Sequence, residues 1–281
     1  MTMAHAAQAS VQSSADQLIA IGHLGWDAID RGGAVERSVG GSLFHFLNGL
    51  AFTCVPCTAL TWTTPDVTEQ ALTALPPWIS VESTSVPHAP VFEISYHGET
   101  LTNFDISNIE MPSSLTERLA PFDDMHLCAM PLEDALRILR TTRPKRWSIQ
   151  FHTAVLPRVT DLERLSSPPD VAFCTTREFG RLYPVVSAFP TATWIVTERD
   201  RVRAVRAGDT VAEFTFSPLD SPVDTTGAGD LLAGAIIGCI RRGVPLELAL
   251  RLGTGVAATS LSDYSTRIFA NWWQTAKKTR T

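Results

Sequence analysis

The chain has 281 residues, of which 44% are hydrophobic, and a net charge of −6. That length supports one large α/β domain or two small ones with a substantial core, and the deficit of Lys and Arg excludes a general nucleic-acid binder, which needs cations to neutralise phosphates. Five scattered cysteines, an odd number, favour reduced thiols in a cytoplasmic protein over a disulfide framework, and the longest apolar run, Leu231 to Ile240, is too short to span a membrane.

Residues 1–17 carry neither Lys nor Arg and no sustained apolar core, so they read as a flexible tail and not a secretory signal. Leu18 to Gly22 is a short apolar run that predicts a buried first strand. Asp27 follows, just before the turn-forming Arg31-Gly32-Gly33. Gly40-Gly41 precedes a predicted helix over Ser42 to Phe52, with an apolar stripe at Leu43, Phe46, Leu47 and Leu50. Cys54-Val55-Pro56-Cys57 has the spacing of a redox pair or half a zinc site. It lacks a second Cys/His pair and interrupts the apolar segment Phe52 to Leu60, so both cysteines read as strand filling. Thr61 to Asp66 reads as a polar turn, and Asp66 to Leu75 as a helix stopped by Pro76-Pro77. Phe92, Ile94 and Tyr96 alternate along Val91 to Tyr96, and a short turn at His97-Gly98 leads into Thr100 to Phe104, which is a hairpin signal.

From Met125 onward, short apolar runs alternate with helical ones. Met125 to Ala129, Trp147 to Phe151, Val171 to Cys174 and Thr193 to Thr197 are predicted strands; Leu132 to Leu139, Asp161 to Leu165 and Arg177 to Leu182 are predicted helices. Strand, helix, strand in repetition implies a doubly wound, mostly parallel sheet with helices on both faces. The arginines from Arg199 to Arg206 read as a solvated hairpin face. Gly234 and Gly238 share one helix face and permit a close neighbour, Gly243 reads as a C-cap, and Pro245 opens a last helix past Gly253 and Gly255. Trp272 and Trp273 either pack the tail down or meet a partner.

The sharpest signal is Asp224-Thr225-Thr226-Gly227-Ala228-Gly229-Asp230, directly before the apolar run at Leu231. Glycines one residue apart let backbone N–H groups face a ligand, and the helix that follows presents free N–H ends to an anion. Asp230 sits at the junction, where the helix dipole favours an ionised carboxylate able to take a proton from a hydroxyl. Phosphate site and base together describe phosphoryl transfer to an alcohol. A capped, glycine-rich strand-to-helix turn of any α/β protein is the plain alternative.

These seven residues resemble the C-terminal signature of the ribokinase-like carbohydrate kinases, the PfkB family. The resemblance implies an α/β fold over residues 18–281 with a small β lid drawn from about 24–40 and 91–105, and a cytoplasmic, ATP- and Mg²⁺-dependent kinase acting on a sugar, nucleoside or related small molecule. A monovalent cation and a homodimer formed through the lid are further implications. It makes Asp230 the catalytic base and Gly227, Ala228 and Gly229 the anion hole. It places Thr197, Thr225, Gly227 and Gly229 against the nucleotide, whose base would lie on the last helical pair. Asp27, Gly40 and Gly41 become acceptor contacts, although Asp27 also reads as a turn residue. His45 stands where the family has an Asn, so it either reads a different substrate or is a satisfied packing residue. Asp66 matches the Asp of a Gly-x-Asp whose glycine is missing. Glu178 matches the Glu that orders magnesium through water, with Thr175 in place of the family's Asn, and reads otherwise as an exposed first-turn carboxylate. Glu198-Arg199-Asp200 replaces the glycines expected after Thr197. These departures leave open a ligand-binding or regulatory relative with little phosphotransfer activity. A dinucleotide oxidoreductase is disfavoured because Gly-x-Gly-x-x-Gly with its ribose-binding acid is missing.

Overall fold

The computed structural model describes residues 17–33, 35–97, 100–119, 121–155, 164–165, 167–218 and 225–261. The tail through residue 16, the turn at Gly98, most of the helix expected from Asp161, Asp224, Trp272 and Trp273 lie outside the described residues.

Strand β1 (Leu18–Ile21) is buried along its whole length and lies inside a nine-stranded sheet. β4 (Cys57–Thr63) and β5 (Ile79–Ser85) extend the sheet on one side of it; β8 (Asp124–Leu127), β9 (Arg146–Gln150), β10 (Val171–Thr175) and β11 (Thr193–Thr197) extend it on the other. These pairings are parallel; the antiparallel ones are those that β12 (Arg201–Arg206) makes with β11 and with the edge strand β13 (Asp209–Thr215). Side chains of β1 alternate between two cores. Leu18 and Ala20 pack with helices α1 (Ser42–Ala51), α2 (Pro65–Ala74), α6 (Ala228–Arg241) and α7 (Leu246–Leu261), while Ile19 and Ile21 pack with α3 (Ser113–Arg118), α4 (Leu132–Thr142) and α5 (Thr176–Ala188). This is the doubly wound arrangement expected from the alternation of runs. A separate four-stranded sheet, in the order β3 (Glu36–Gly40), β2 (Gly25–Asp30), β6 (Val91–His97), β7 (Thr100–Ser107), carries its own apolar face.

The chain leaves β1 toward β4 on one side and returns to β8 on the other, so the strand order reverses at the carboxyl end of β1. Open α/β sheets bind ligands in the crevice at such a point. Helices α1 and α6 lie against each other beside it, in the most extensive helix pairing among the described residues, because Gly234 admits the backbone: a Cβ there would come 2.0 Å from the Phe46 carbonyl oxygen. This contact fixes the start of α6 relative to α1.

Three expectations are corrected. Thr61 is no turn residue: with Trp62 and Thr63 it completes β4, since β-branched and aromatic side chains suit a strand flanked on one side by β1 and on the other by β5, and the buried Thr61 hydroxyl donates to the Gly22 carbonyl at 2.9 Å. Cys54 is not strand filling either; it sits exposed in the turn after α1 at φ 52°, and only Cys57 is buried in β4. Helix α5 runs to Ala188 through Pro184, beyond the expected Leu182.

Candidate active site

Asp27 belongs to β2, not to a turn, and is 2% exposed. β3 is paired antiparallel with β2 and ends in Gly40, and Gly41 at φ 88° swings the chain into α1. That swing brings two groups onto one carboxylate. The Gly41 N–H donates to Asp27 Oδ1 at 3.0 Å, and His45 Nε2, one turn into α1, meets Oδ2 at 2.8 Å. Since a carboxylate accepts only, Nε2 carries the proton. His45 is thus a buried, hydrogen-bonded residue that does not offer this nitrogen to an acceptor hydroxyl; it is locked to the residue expected to bind one.

The signature turn lies on the other side of the same imidazole. Gly227 adopts φ 70°, and a Cβ there would stand 2.1 Å from the His45 ring, so only glycine allows this approach. Helix α6 then opens at Ala228, with Asp230 in its first turn. Asp230 as a whole is half-buried, but its Oδ1 is shut off from solvent without a hydrogen-bond partner. Burial pushes its carboxyl up to about 7. His45 on one side draws it down, the Asp27 carboxylate pushes it up, and its own N–H and the Gln150 amide offer smaller stabilisation of the anion. Desolvation therefore overrides the helix dipole that argued for a carboxylate ionised throughout. Of the three expected anion-hole amides, that of Ala228 turns back onto the Thr225 carbonyl at 3.3 Å.

Two cavities meet here. One, of about 160 Å³, is lined by Asp27, Gly41, Ser42 and His45 below and by side chains of the small sheet above. The other, of about 200 Å³, is lined by Thr175, Glu178, Thr197, Gly229 and Leu232. His152, Thr225, Gly227 and Asp230 line both. The structure thus gathers Asp27, Gly41 and His45 of the expected acceptor residues in one cavity, with Gly40 outside its lining, and the expected nucleotide residues Thr197, Thr225, Gly227 and Gly229 along the other. Asp66 reaches neither; it is exposed at the start of α2.

Glu178 is 3% exposed, unlike the surface carboxylate that its first-turn position also allowed. It accepts hydrogen bonds from the Thr153 hydroxyl and the Thr175 N–H, both at 2.8 Å, while its own N–H reaches the Thr175 hydroxyl at 3.3 Å. This is a capping box, and it gives Thr175 a structural role at the altered position. No group of three or more His, Cys, Asp or Glu able to hold a metal is present among the described residues. A single buried carboxylate facing the second cavity fits Mg²⁺ held through water and phosphate oxygens, which is this ion's usual mode. Glu198, in place of a glycine, is tied into the β12 hairpin by Arg201 at 3.1 Å.

Four lining or supporting residues were given no place at the site by the sequence. Tyr96 of β6 places its hydroxyl 3.0 Å from Thr225 Oγ1 and 3.2 Å from Thr226 Oγ1, joining the small sheet to the signature turn. His152 touches both cavities, Gln150 bonds Asp230, and His23 is held between the Ala129 and Ile109 carbonyls at 3.1 and 3.2 Å. The last three lie at or just beyond the ends of β9 and β1, and only the sheet order reveals that these ends face the signature.

Residues 153–273 match the profile of the pfkB family carbohydrate kinases. No curated protein matches the chain in sequence. Among solved structures, adenosine kinase from Anopheles gambiae superposes with a TM-score of 0.71 at 14% identity, over 92% of this chain and 98% of that one. Adenosine kinase from Sinorhizobium meliloti gives 0.66 at 16% identity, over 94% and 100%. A pyrophosphate-dependent kinase in the ribokinase family, complexed with a pyrophosphate analog and myo-inositol, gives 0.64 at 17%, over 87% and 94%. The structures supply the fold and the profile supplies the signature region: the chain has the ribokinase-like fold, and its residues 153–273 match the pfkB carbohydrate kinase family.

Proposed function

We propose that the protein is an ATP-dependent kinase transferring the γ-phosphoryl group to a hydroxyl of a sugar, nucleoside or related small molecule, with residues 18–281 forming one catalytic domain and the small sheet its lid. The observation that carries this reading is Asp230: a buried carboxyl with an unpartnered oxygen, in the wall common to two cavities, at the start of a helix. An acceptor hydroxyl in the first cavity gives its proton to the Asp230 carboxylate as its oxygen bonds to the γ-phosphorus of ATP on the side of the second cavity, and the bond from that phosphorus to ADP breaks, with ADP as the leaving group. The N-terminal amides of α6 stabilise the charge that collects on the moving phosphoryl oxygens, and positioning supplies much of the remaining acceleration. Mg²⁺, held through water by Glu178, would neutralise phosphate charge on the donor side. Asp27, oriented by Gly41 and His45, keeps lone pairs for an acceptor hydroxyl, since a carboxylate offers about four.

A ligand-binding relative with little transfer activity is the second reading, favoured by His45 occupying Asp27 and by the Glu198 ion pair where glycines were expected. An assay of phosphorylated product across sugars, polyols and nucleosides, run with ATP and separately with pyrophosphate, decides between them. Product that requires Asp230 supports the kinase; ligand binding with no product from either donor supports the relative.

A further inference from the structure

We infer that the acceptor is an alcohol built around a flat aromatic or heteroaromatic ring and poor in hydroxyl groups, not a free sugar or polyol. The inference takes from the kinase reading only which hydroxyl reacts; what binds is argued from the cavity itself. Its upper wall is the inner face of the small sheet, Phe92, Ile94, Tyr96, Phe104 and Ile106. Tyr96 adds no free polar atom, because its hydroxyl is engaged by Thr225 and Thr226. Away from the sheet, the polar side chains of the lining are His23, His152, Thr225 and Thr226, together with Asp230 and those of the floor. There both oxygens of Asp27 already hold hydrogen bonds from within the chain, and the buried lining atoms left without any partner are Ser42 Oγ and Asp230 Oδ1.

A ligand polar all round does not match this division. The Asp27 and Asp230 carboxylates on the floor take one or two hydroxyls, but each further hydroxyl pressed against the sheet face loses its water without replacement, a loss in affinity on the order of tenfold or more apiece. A flat ring gains there instead. The rings of Phe104 and His152 meet at 4.9 Å and 49°, forming an aromatic corner at which another ring can stack. The volume agrees: about 160 Å³ is close to the roughly 150 Å³ of a cavity that admits benzene. One flat ring therefore fills the upper part while a hydroxyl-bearing arm reaches Asp230.

The test measures binding and turnover separately. Calorimetric titration of the full chain with 3-pyridinemethanol, benzyl alcohol, ribose and myo-inositol ranks affinities independently of chemistry. We expect at least one of the two ring alcohols to bind tenfold or more tightly than both ribose and myo-inositol. Parity, a tighter polyol, or no measurable binding by either ring alcohol overturns the inference. Phe104→Gln, with Ile106→Thr as a milder second variant, should narrow the preference at least threefold; an unchanged ratio in a folded variant removes the sheet face from recognition. Product formation with ATP is followed in parallel. Polyol phosphorylation would sink the inference while sparing the kinase, whereas tight ring-alcohol binding without product from any donor would do the reverse.

Discussion

At the scale of a single residue, Asp230 joins reactivity to instability. An ordinary aspartate ionises near 3.8, whereas burial moves this one to about 7. Below pH 3.8 it is protonated in native and unfolded chains alike; between 3.8 and about 7 only the native state keeps the proton, so its contribution to stability is lost as pH rises through that window. The difference corresponds to up to roughly 4 kcal/mol at alkaline pH. Asp230→Asn should therefore melt at a higher temperature than the wild type at pH 8 and at nearly the same temperature at pH 3.5. Its turnover should fall by about 10²- to 10⁴-fold, and wild-type kcat/KM should climb as pH rises through about 7. A variant with wild-type turnover would take Asp230 out of the chemistry, whatever its melting temperature. The identity of this residue was legible in seven contiguous letters. Its protonation was not, because it depends on burial in the folded chain and on His45 of α1, Asp27 of β2 and Gln150 of β9, all far from it in sequence.

At the scale of elements, two contacts set the site. α6 is held to α1 through Gly234, and the small sheet is held to the signature turn through Tyr96. Gly234→Ala pushes a methyl into the Phe46 carbonyl and should cost about 1–3 kcal/mol in denaturant unfolding, with kcat reduced as His45 and Asp230 move apart. Tyr96→Phe removes only the hydroxyl. Losing a hydrogen bond worth about 0.5–1.5 kcal/mol should lower kcat/KM for the acceptor roughly 2- to 10-fold, with nucleotide affinity unchanged. Equal losses for both ligands would assign Tyr96 to general stability and not to placing the sheet over the acceptor. The sequence showed the apolar face of Tyr96's hairpin through its period of two. It did not show that β6 pairs in parallel with β2, nor that the tyrosine ends beneath the signature, since such pairings depend on chain segments about 60 and 130 residues apart coming together.

For the whole molecule, four of the five cysteines are buried and Cys54 alone is exposed. A thiol reagent should consume one equivalent in the native protein and five after unfolding, and Cys54→Ser with Cys57→Ser should keep activity in reducing and oxidising buffer alike. Rapid native reaction of more than one thiol would contradict the burial of Cys57. The parallel sheet with two helical layers was readable from alternating runs, because each strand buried on both faces must be continuously apolar. The threonines at Thr61 and Thr63 broke that rule and were misread; tertiary hydrogen bonding, as from Thr61 to Gly22, lets a threonine lie in a buried strand where the pattern alone suggests a turn. The two cavities with a common wall have a last consequence, for fidelity. A transfer site open from both sides also admits water as a rival nucleophile, and a polar acceptor cavity would retain one beside Asp230 after product leaves. Under the proposed kinase reading, a water beside Asp230 finds partners on the floor but none on the apolar sheet face, so hydrolysis of ATP without acceptor should run slower than transfer to the proper alcohol, which an ATPase assay without acceptor checks.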